Sequence, residues 1–384
     1  MSMVMPGLLS QLDTLISMPS VSSAHSNLDM SNKEVIYFLA EAFESMGFSC
    51  EIITCNNNNK FNLIATLGSG PGGLVLAGHT DTVPFDQELW SVDPFQLTEK
   101  DGKVFGLGIT DMKGFFPIAM EAIKPISEAD FVEPLIILAT ADEETSMQGA
   151  RTLAELGRPK ARSAIIGEPT GLRPVKAHKG IMMDCIRLFG ESGHSSDPSL
   201  GKNALDAMHQ VISQLIDYRD QLKDRYKSEL FTIPYPTLNL GSIHGGDNPN
   251  RICGNCALEF DVRLTPGMHI DTVRAEIRDK VRSVTEPLKI QFEMTEIFSG
   301  VPAFFTQENS ALLKAAEELT GHNGISVAFA TEGPFLQQLG MDTIIMGPGN
   351  IDQAHQPDEY MSLDMINPSI DVLTRLIIKH CIRQ

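Results

Sequence analysis

Residues 72–84 read GGLVLAGHTDTVP, and this run decides the fold. A short apolar stretch bounded by glycines on one side and a proline on the other fits a strand buried on both faces, as in a parallel sheet covered by helices. The strand ends near His79, with Asp81 two residues beyond it. Open α/β sheets bind ligands at the carboxyl ends of their strands, so the run also says where the chemistry is expected.

Working outward, NLIATLG, LIILATADEE, SAIIGEP and DTIIMGPG have the same Leu, Ile, Val and Ala texture and read as further buried strands. LDTLISMPS and NKEVIYFLAEAFESMGF read as amphipathic helices between them. Alternation of this kind predicts an α/β fold with a mostly parallel sheet. From about residue 178 to residue 295 the texture changes. MMDCIRLFGESG, TLNLGSIHGG and ALEFDVRLTPG are strand-like, while NALDAMHQVISQLIDYRDQLKDRY and IDTVRAEIRDKVRSV are helical. The β-α-β-β-α-β order suits a two-layer α+β domain. The expected division is a catalytic domain of residues 1–177 and 296–384, interrupted by an inserted domain of residues 178–295. A chain of 384 residues is long enough for both. The NNNN run at 56–59 is expected to be a surface turn.

Composition excludes more than it identifies. A formal charge of −19 with no basic face argues against nucleic acid as a partner. No run reaches the roughly 18 apolar residues of a membrane span. MSMVMPGLLSQL lacks the basic start and apolar stretch of a secretory signal, so a cytoplasmic protein is expected. Six cysteines are too few for a disulfide framework. Cys253 and Cys256 form a lone CxxC whose RICGNCALEFDVRL context reads as ordinary strand.

Five residues of metal-binding type stand at or near strand ends: His79, Asp111 in GLGITDMKG, Glu144 in ATADEETS, Glu168 in IIGEPT and His355 in QAHQPDEY. Three carboxylates and two imidazoles are what two divalent ions about 3.5–4 Å apart require, if one carboxylate bridges them. Asp111, among glycines that permit tight geometry, is the candidate bridge. Asp81 is placed to steer the His79 ring from behind. Glu143, next to Glu144, can stay free as a general base. Asp142 is given no role. His194 in GHSSDP reads by itself as a turn histidine, and each of the other residues alone has an equally plain structural reading. Their coincidence at strand ends points to a two-metal hydrolase.

The segments LAGHTDTVPFD, GLGITDMKGF, ATADEETSMQGAR, IIGEPTGLRPVKAHKG, GESGHSSDP, GGDNPNRIC and QAHQPDEY together resemble the di-zinc aminoacylase and carboxypeptidase family, and within it the acetylornithine deacetylase branch. The match runs through nearly the whole chain. The resemblance implies that one zinc takes His79, Asp111 and Glu168 and the other Asp111, Glu144 and His355, with cobalt a substitute. It implies a cis peptide after Asp111, Asp81 orienting His79, and Glu143 as general base. It places His194 on the inserted domain of a partner subunit in a homodimer, reaching the active site to stabilise the oxyanion. Substrate carboxylate binding falls by resemblance to Asn250 and Arg263, with Arg251 a rival. The expected reaction is hydrolysis of N2-acetyl-L-ornithine to L-ornithine and acetate, in arginine biosynthesis. Another N-acyl amino acid, succinyl-diaminopimelate or a dipeptide is the alternative. FATEGPFLQ departs from the desuccinylase pattern, since it leaves no arginine for a second substrate carboxylate. Glu332 there is a candidate partner for a substrate amine.

Overall fold

A computed structural model of the protein describes residues 6–55 and 59–382. Residues 56–58 of the NNNN run lie outside the described residues. The chain divides into two compact units. The first comprises the chain up to Lys176 together with Thr306–Ile325 and everything from Thr331 on; the second comprises Ala177–Phe305 and Ser326–Ala330.

The first unit is built on a mixed sheet. Its strands run in the order Ser49–Thr54, Phe61–Leu67, Leu135–Thr140, Leu74–His79, Ser163–Pro169, Asp342–Gly347, and then Val175–His178, where the chain passes to the second unit. The four strands from Leu135–Thr140 to Asp342–Gly347 are parallel, and antiparallel strands flank them on both sides. Strand Leu74–His79 is buried along its whole length, as its unbroken apolar run requires of a strand covered on both faces. Alternate residues Leu74 and Leu76, Leu135 and Ile137, and Ile344 and Met346 join one core cluster with residues of the helices Lys33–Ser45, Phe115–Ile123 and Ile366–Cys381.

Helix Phe115–Ile123 is buried on every side, which explains why FFPIAMEAI carries no polar stripe. It packs so closely on the sheet that a Cβ at Gly167 would lie 2.3 Å from the Phe115 ring. The turn before it is equally tight, since a Cβ at Gly114 would lie 2.1 Å from the carbonyl oxygen of Ile109. Lys113 in this turn is fully buried and donates to the carbonyls of Leu15 and Met18, both at 2.9 Å, tying the turn to the end of helix Pro6–Ile16.

The second unit is an antiparallel sheet in the order Thr237–Gly245, Asn255–Leu264, Gly180–Phe189 and Gln291–Val301. Helices Ala204–Arg225 and Ile270–Thr285 share a core with one face of it, through Met208, Val211 and Leu215 and through Val273, Ile277 and Val281. Asn203 caps the longer helix, accepting from the backbone N–H of Leu205 at 2.9 Å. Asp184 on the sheet is buried and receives Arg274 from the shorter helix at 3.0 Å, so neither charge is left unpaired. The unit extends past residue 295 because the strand that completes its sheet ends at Val301. Cys256 lies in a strand, but Cys253 precedes it in a loop; both are buried and free. Among the described residues no helix is long and apolar enough to cross a membrane.

The expected fold class is the observed one: an α/β unit with parallel strands at its centre and a separate antiparallel α+β unit.

Candidate metal centre

The parallel strands bring the candidate ligands together. His79 is the last residue of Leu74–His79, Glu168 the penultimate residue of Ser163–Pro169, and Asp142, Glu143 and Glu144 follow Leu135–Thr140. Register aligns them: Ala77 pairs with Ile166, so His79 and Glu168 each stand two residues past a matched pair. His355 follows strand Asp342–Gly347 in a turn and has a φ of 59°. Asp111 stands ahead of helix Phe115–Ile123, and the Asp111–Met112 peptide is cis.

Asp111 faces both histidines. Its Oδ1 lies 3.0 Å from His79 Nε2, and its Oδ2 lies 3.4 Å from His355 Nε2. Glu144 Oε1 is 3.0 Å from the same nitrogen of His355, and Glu168 Oε1 is 4.0 Å from His79 Nε2. Ligand atoms of His79, Asp111 and Glu144 all lie within 4.8 Å of one another, as do those of His79, Glu143 and Glu168. Glu168 Oε1 is buried with no hydrogen-bond partner. A buried carboxylate oxygen left that way is costly, and a cation is the partner that such crowding of acids lacks. Imidazole nitrogen and carboxylate oxygen are donors suited to zinc. The donor set therefore fits two divalent ions, with one Asp111 oxygen directed toward each histidine.

The electrostatics carry the same signature. Burial pushes the Asp111 carboxyl up, but the imidazoles of His355 and His79 outweigh it and hold the group well below the ordinary range. Asp111 and then Glu144 raise His355 to about 10. Burial, followed by the Glu168 charge, pushes Glu143 well above the usual carboxylate range. Burial and then the crowding of acids around Glu143 cause that shift.

Asp81 acts differently from the sequence expectation. The nearest acceptor for His79 Nδ1 is the backbone carbonyl of Asp81, at 2.9 Å, whereas its carboxylate is 3.7 Å away. That carboxylate instead accepts the backbone N–H groups of Glu143, at 3.2 Å, and Glu144, at 3.1 Å. One residue thus orients the histidine through its main chain and the two glutamates through its side chain. Asp142 anchors the same turn, at 2.7 Å from Lys60 Nζ and 2.9 Å from Ser22 Oγ.

One buried acid, Glu359, was not assigned to this site from the sequence, and a second, Glu332, was named there only as a candidate partner for a substrate amine. Glu359 accepts the backbone N–H groups of Gly108 at 2.8 Å, Thr110 at 2.7 Å and Asp111 at 3.0 Å, so it holds the turn that presents Asp111. Its position in HQPDEY, four residues past His355, was the available signal. Glu332 is 1% exposed and accepts from Thr140 Oγ1 at 2.8 Å. It lies at the end of strand Leu135–Thr140, and its second oxygen, Oε1, is buried without a hydrogen-bond partner. Burial raises its carboxyl from 4.5 to about 7. The folded state thus binds more protons than the unfolded state between those values, and the stability of the metal-free protein falls as pH rises through that window. Glu332→Gln is expected to flatten the decline, measured as the urea midpoint of metal-free protein at about pH 5 and about pH 8. An unchanged slope would show that Glu332 ionises as easily folded as unfolded.

The remaining candidates belong to the second unit. His194 is exposed, with Nδ1 2.7 Å from Ser196 Oγ, and it bridges to Arg251 through the backbone. The neighbouring Ser195 N–H donates to the carbonyl of Asn250 at 3.1 Å, so His194, Asn250 and Arg251 form one exposed loop cluster. Arg251 pairs with Asp247 at 2.5 Å. Arg263 lies near the far end of strand Asn255–Leu264, 3.1 Å from Asp261, and lines a cavity of about 450 Å³ with Lys179 and Phe231. The strand between them spans roughly 25 Å at about 3.3 Å per residue. Asn250 and Arg263 of one chain therefore do not meet on one carboxylate.

Solved structures similar to this chain share its fold over nearly their whole length. A metallo-carboxypeptidase from Sulfolobus solfataricus is 18% identical with a TM-score of 0.74, covering 97% of this chain and 99% of its own. A tripeptidase from Staphylococcus aureus is 21% identical with a TM-score of 0.73, covering 96% of each. A dinuclear metal-binding peptidase from Bacillus subtilis is 14% identical with a TM-score of 0.69, covering 97% of each. The family model for peptidase family M20/M25/M40 matches residues 75–379, a span that holds every candidate ligand. The chain belongs to peptidase family M20/M25/M40.

Proposed function

We propose that this chain is a two-zinc amide hydrolase that cleaves N2-acetyl-L-ornithine to L-ornithine and acetate, with cobalt able to replace zinc. The observation that carries the hydrolytic reading is the position of Asp111 between two imidazoles, with Glu143 beside the cluster on a turn held by Asp81. His79, Asp111 and Glu168 would hold one ion, and Asp111, Glu144 and His355 the other. Bound there, two such ions supply Lewis-acid polarisation of the substrate carbonyl and a nucleophilic water at neutral pH. Glu143 takes a proton from the attacking water and returns it to the leaving nitrogen, acting first as base and then as acid.

The substrate assignment rests on sequence. PVKAHKG, HGGDNPNRIC and AHQPDEY support the deacetylase branch, and FATEGPFLQ offers no arginine for a second carboxylate. This assignment places the enzyme in arginine biosynthesis and in the cytoplasm. A homodimer formed through the second unit would let His194 of one chain stabilise the oxyanion in the other. It would also let Asn250 and Arg263 serve one substrate from two chains, which their separation within a chain forbids.

A panel of N-acetyl-ornithine, N-acetyl-methionine, succinyl-diaminopimelate and a dipeptide, assayed for kcat/KM before and after chelation, tests the reading. Acetylornithine is expected to rank first, and activity is expected to vanish with the metal and return with zinc or cobalt. A dipeptide in first place would favour the peptidase reading that the names of the solved relatives suggest. Activity indifferent to thorough chelation would remove the metal from the mechanism.

A further inference from the structure

The loop that follows His79 and the turn that carries His355 enclose a cavity of about 260 Å³ within the first unit. Phe85, Asp86, Leu89 and Trp90 line it from the loop, and His355 lines it from the turn. His355 is also the imidazole 3.0 Å from Glu144 and 3.4 Å from Asp111, so the cavity wall and the ligand cluster share a side chain. A ligand seated in the cavity therefore adjoins the reacting centre. Phe85 is fixed by an edge-to-face contact with Phe95, with centroids 5.1 Å apart. Asp86 is exposed, and no cation among the described residues lies within ion-pair distance of it.

We propose that this cavity receives the amino-acid side chain of the substrate and selects an aliphatic chain that ends in a cation. The inference rests on the proposed N-acyl amino-acid hydrolysis and names what distinguishes its preferred substrate. Aromatic and leucine surface suits methylenes, which gain by leaving water. A carboxylate at the rim suits an ammonium that stays partly hydrated, in the manner of a lysine that buries its stem and keeps its head wet. Trp90 in the lining adds aromatic surface of the kind that attracts cations. A cavity of about 150 Å³ holds a benzene ring, so one of about 260 Å³ has room for an aliphatic amine. The formal charge of −19 favours the approach of such a substrate.

The test uses the metal-loaded enzyme and two N-acetyl amino acids of equal chain length, N-acetyl-ornithine and N-acetyl-norvaline. Asp86→Asn is expected to lower the ratio of kcat/KM for the cationic over the neutral substrate about tenfold, and Asp86→Glu to restore most of it. A purely structural role for Asp86 would lower both values together and leave the ratio in place, overturning the proposal. A binding readout is also available, because Trp90 is the only tryptophan in the chain. L-Ornithine should perturb Trp90 fluorescence at concentrations about tenfold below those needed for L-norvaline, a difference that Asp86→Asn removes. Equal titrations of the two by the unmodified enzyme would refute the cavity. If no N-acyl amino acid is hydrolysed at all, the proposed function fails, while the fluorescence titration still decides whether the cavity selects a cation.

Discussion

Exchanging Glu143 for alanine is expected to leave the metal content of the protein unchanged and to lower kcat by at least about 10²-fold, the lower end of what general acid–base catalysis contributes. The expectation follows from the division of labour on one turn. Asp81 receives the backbone N–H groups of both glutamates, so neither side chain is needed to hold the turn in place. Glu144 points to His355 at 3.0 Å, whereas Glu143 has burial and the nearby Glu168 charge raising its proton affinity. Removing the Glu143 carboxyl removes the proton carrier and relieves crowding among acids, so the folded protein should be no less stable. Metal analysis, single-turnover kinetics and thermal melting on one preparation check the three parts. Turnover near the parent value would refute the catalytic assignment, while a loss of bound metal in step with activity would make Glu143 a ligand.

The same turn shows which parts of the site the sequence makes legible. Strand ends were readable because LVLAGH, LIILAT and SAIIGEP are unbroken apolar runs that only a doubly covered sheet accommodates, and their ends are marked by polar residues. Convergence followed, since parallel strands place those ends on one edge of the sheet. The flanking strands were less legible. Phe61–Leu67 has the same composition as its parallel neighbours yet runs antiparallel to Leu135–Thr140, because direction is set by connection and not by side chains. Glu359 escaped because a carboxylate serving backbone N–H groups looks in sequence like any surface acid. Asp81 was found, but its two functions run through different atoms, and sequence does not distinguish a carbonyl from a carboxylate. Asn250 and Arg263 read as a pair only while the length of the strand between them is ignored.

Asp111→Asn is expected to cut metal binding from two ions per chain to one and to abolish measurable turnover. An asparagine keeps the size of the side chain but offers one carbonyl oxygen and an amide nitrogen, which carries hydrogens and cannot serve as a metal ligand at neutral pH. The bridge is the element that fails, because Asp111 directs one oxygen toward each histidine. Glu359→Gln provides a graded comparison on the same turn. It preserves an oxygen acceptor but sets an amide N–H against backbone donors that now meet a carboxylate from Gly108, Thr110 and Asp111. Outer partners of metal ligands typically contribute 10–100-fold in metal affinity, so the Glu359 variant should bind two ions about that much more weakly and regain turnover at saturating metal. Titration calorimetry with zinc, and visible spectra of the cobalt-substituted proteins, separate the two. The Asp111 variant should lose one coordination site outright at any metal concentration, while the Glu359 variant should recover the parent spectrum when saturated. Two ions bound by Asp111→Asn with parent affinity would exclude this carboxylate as the bridge and shift the centre to the His79, Glu143 and Glu168 grouping, where the base of the proposed mechanism would become a ligand.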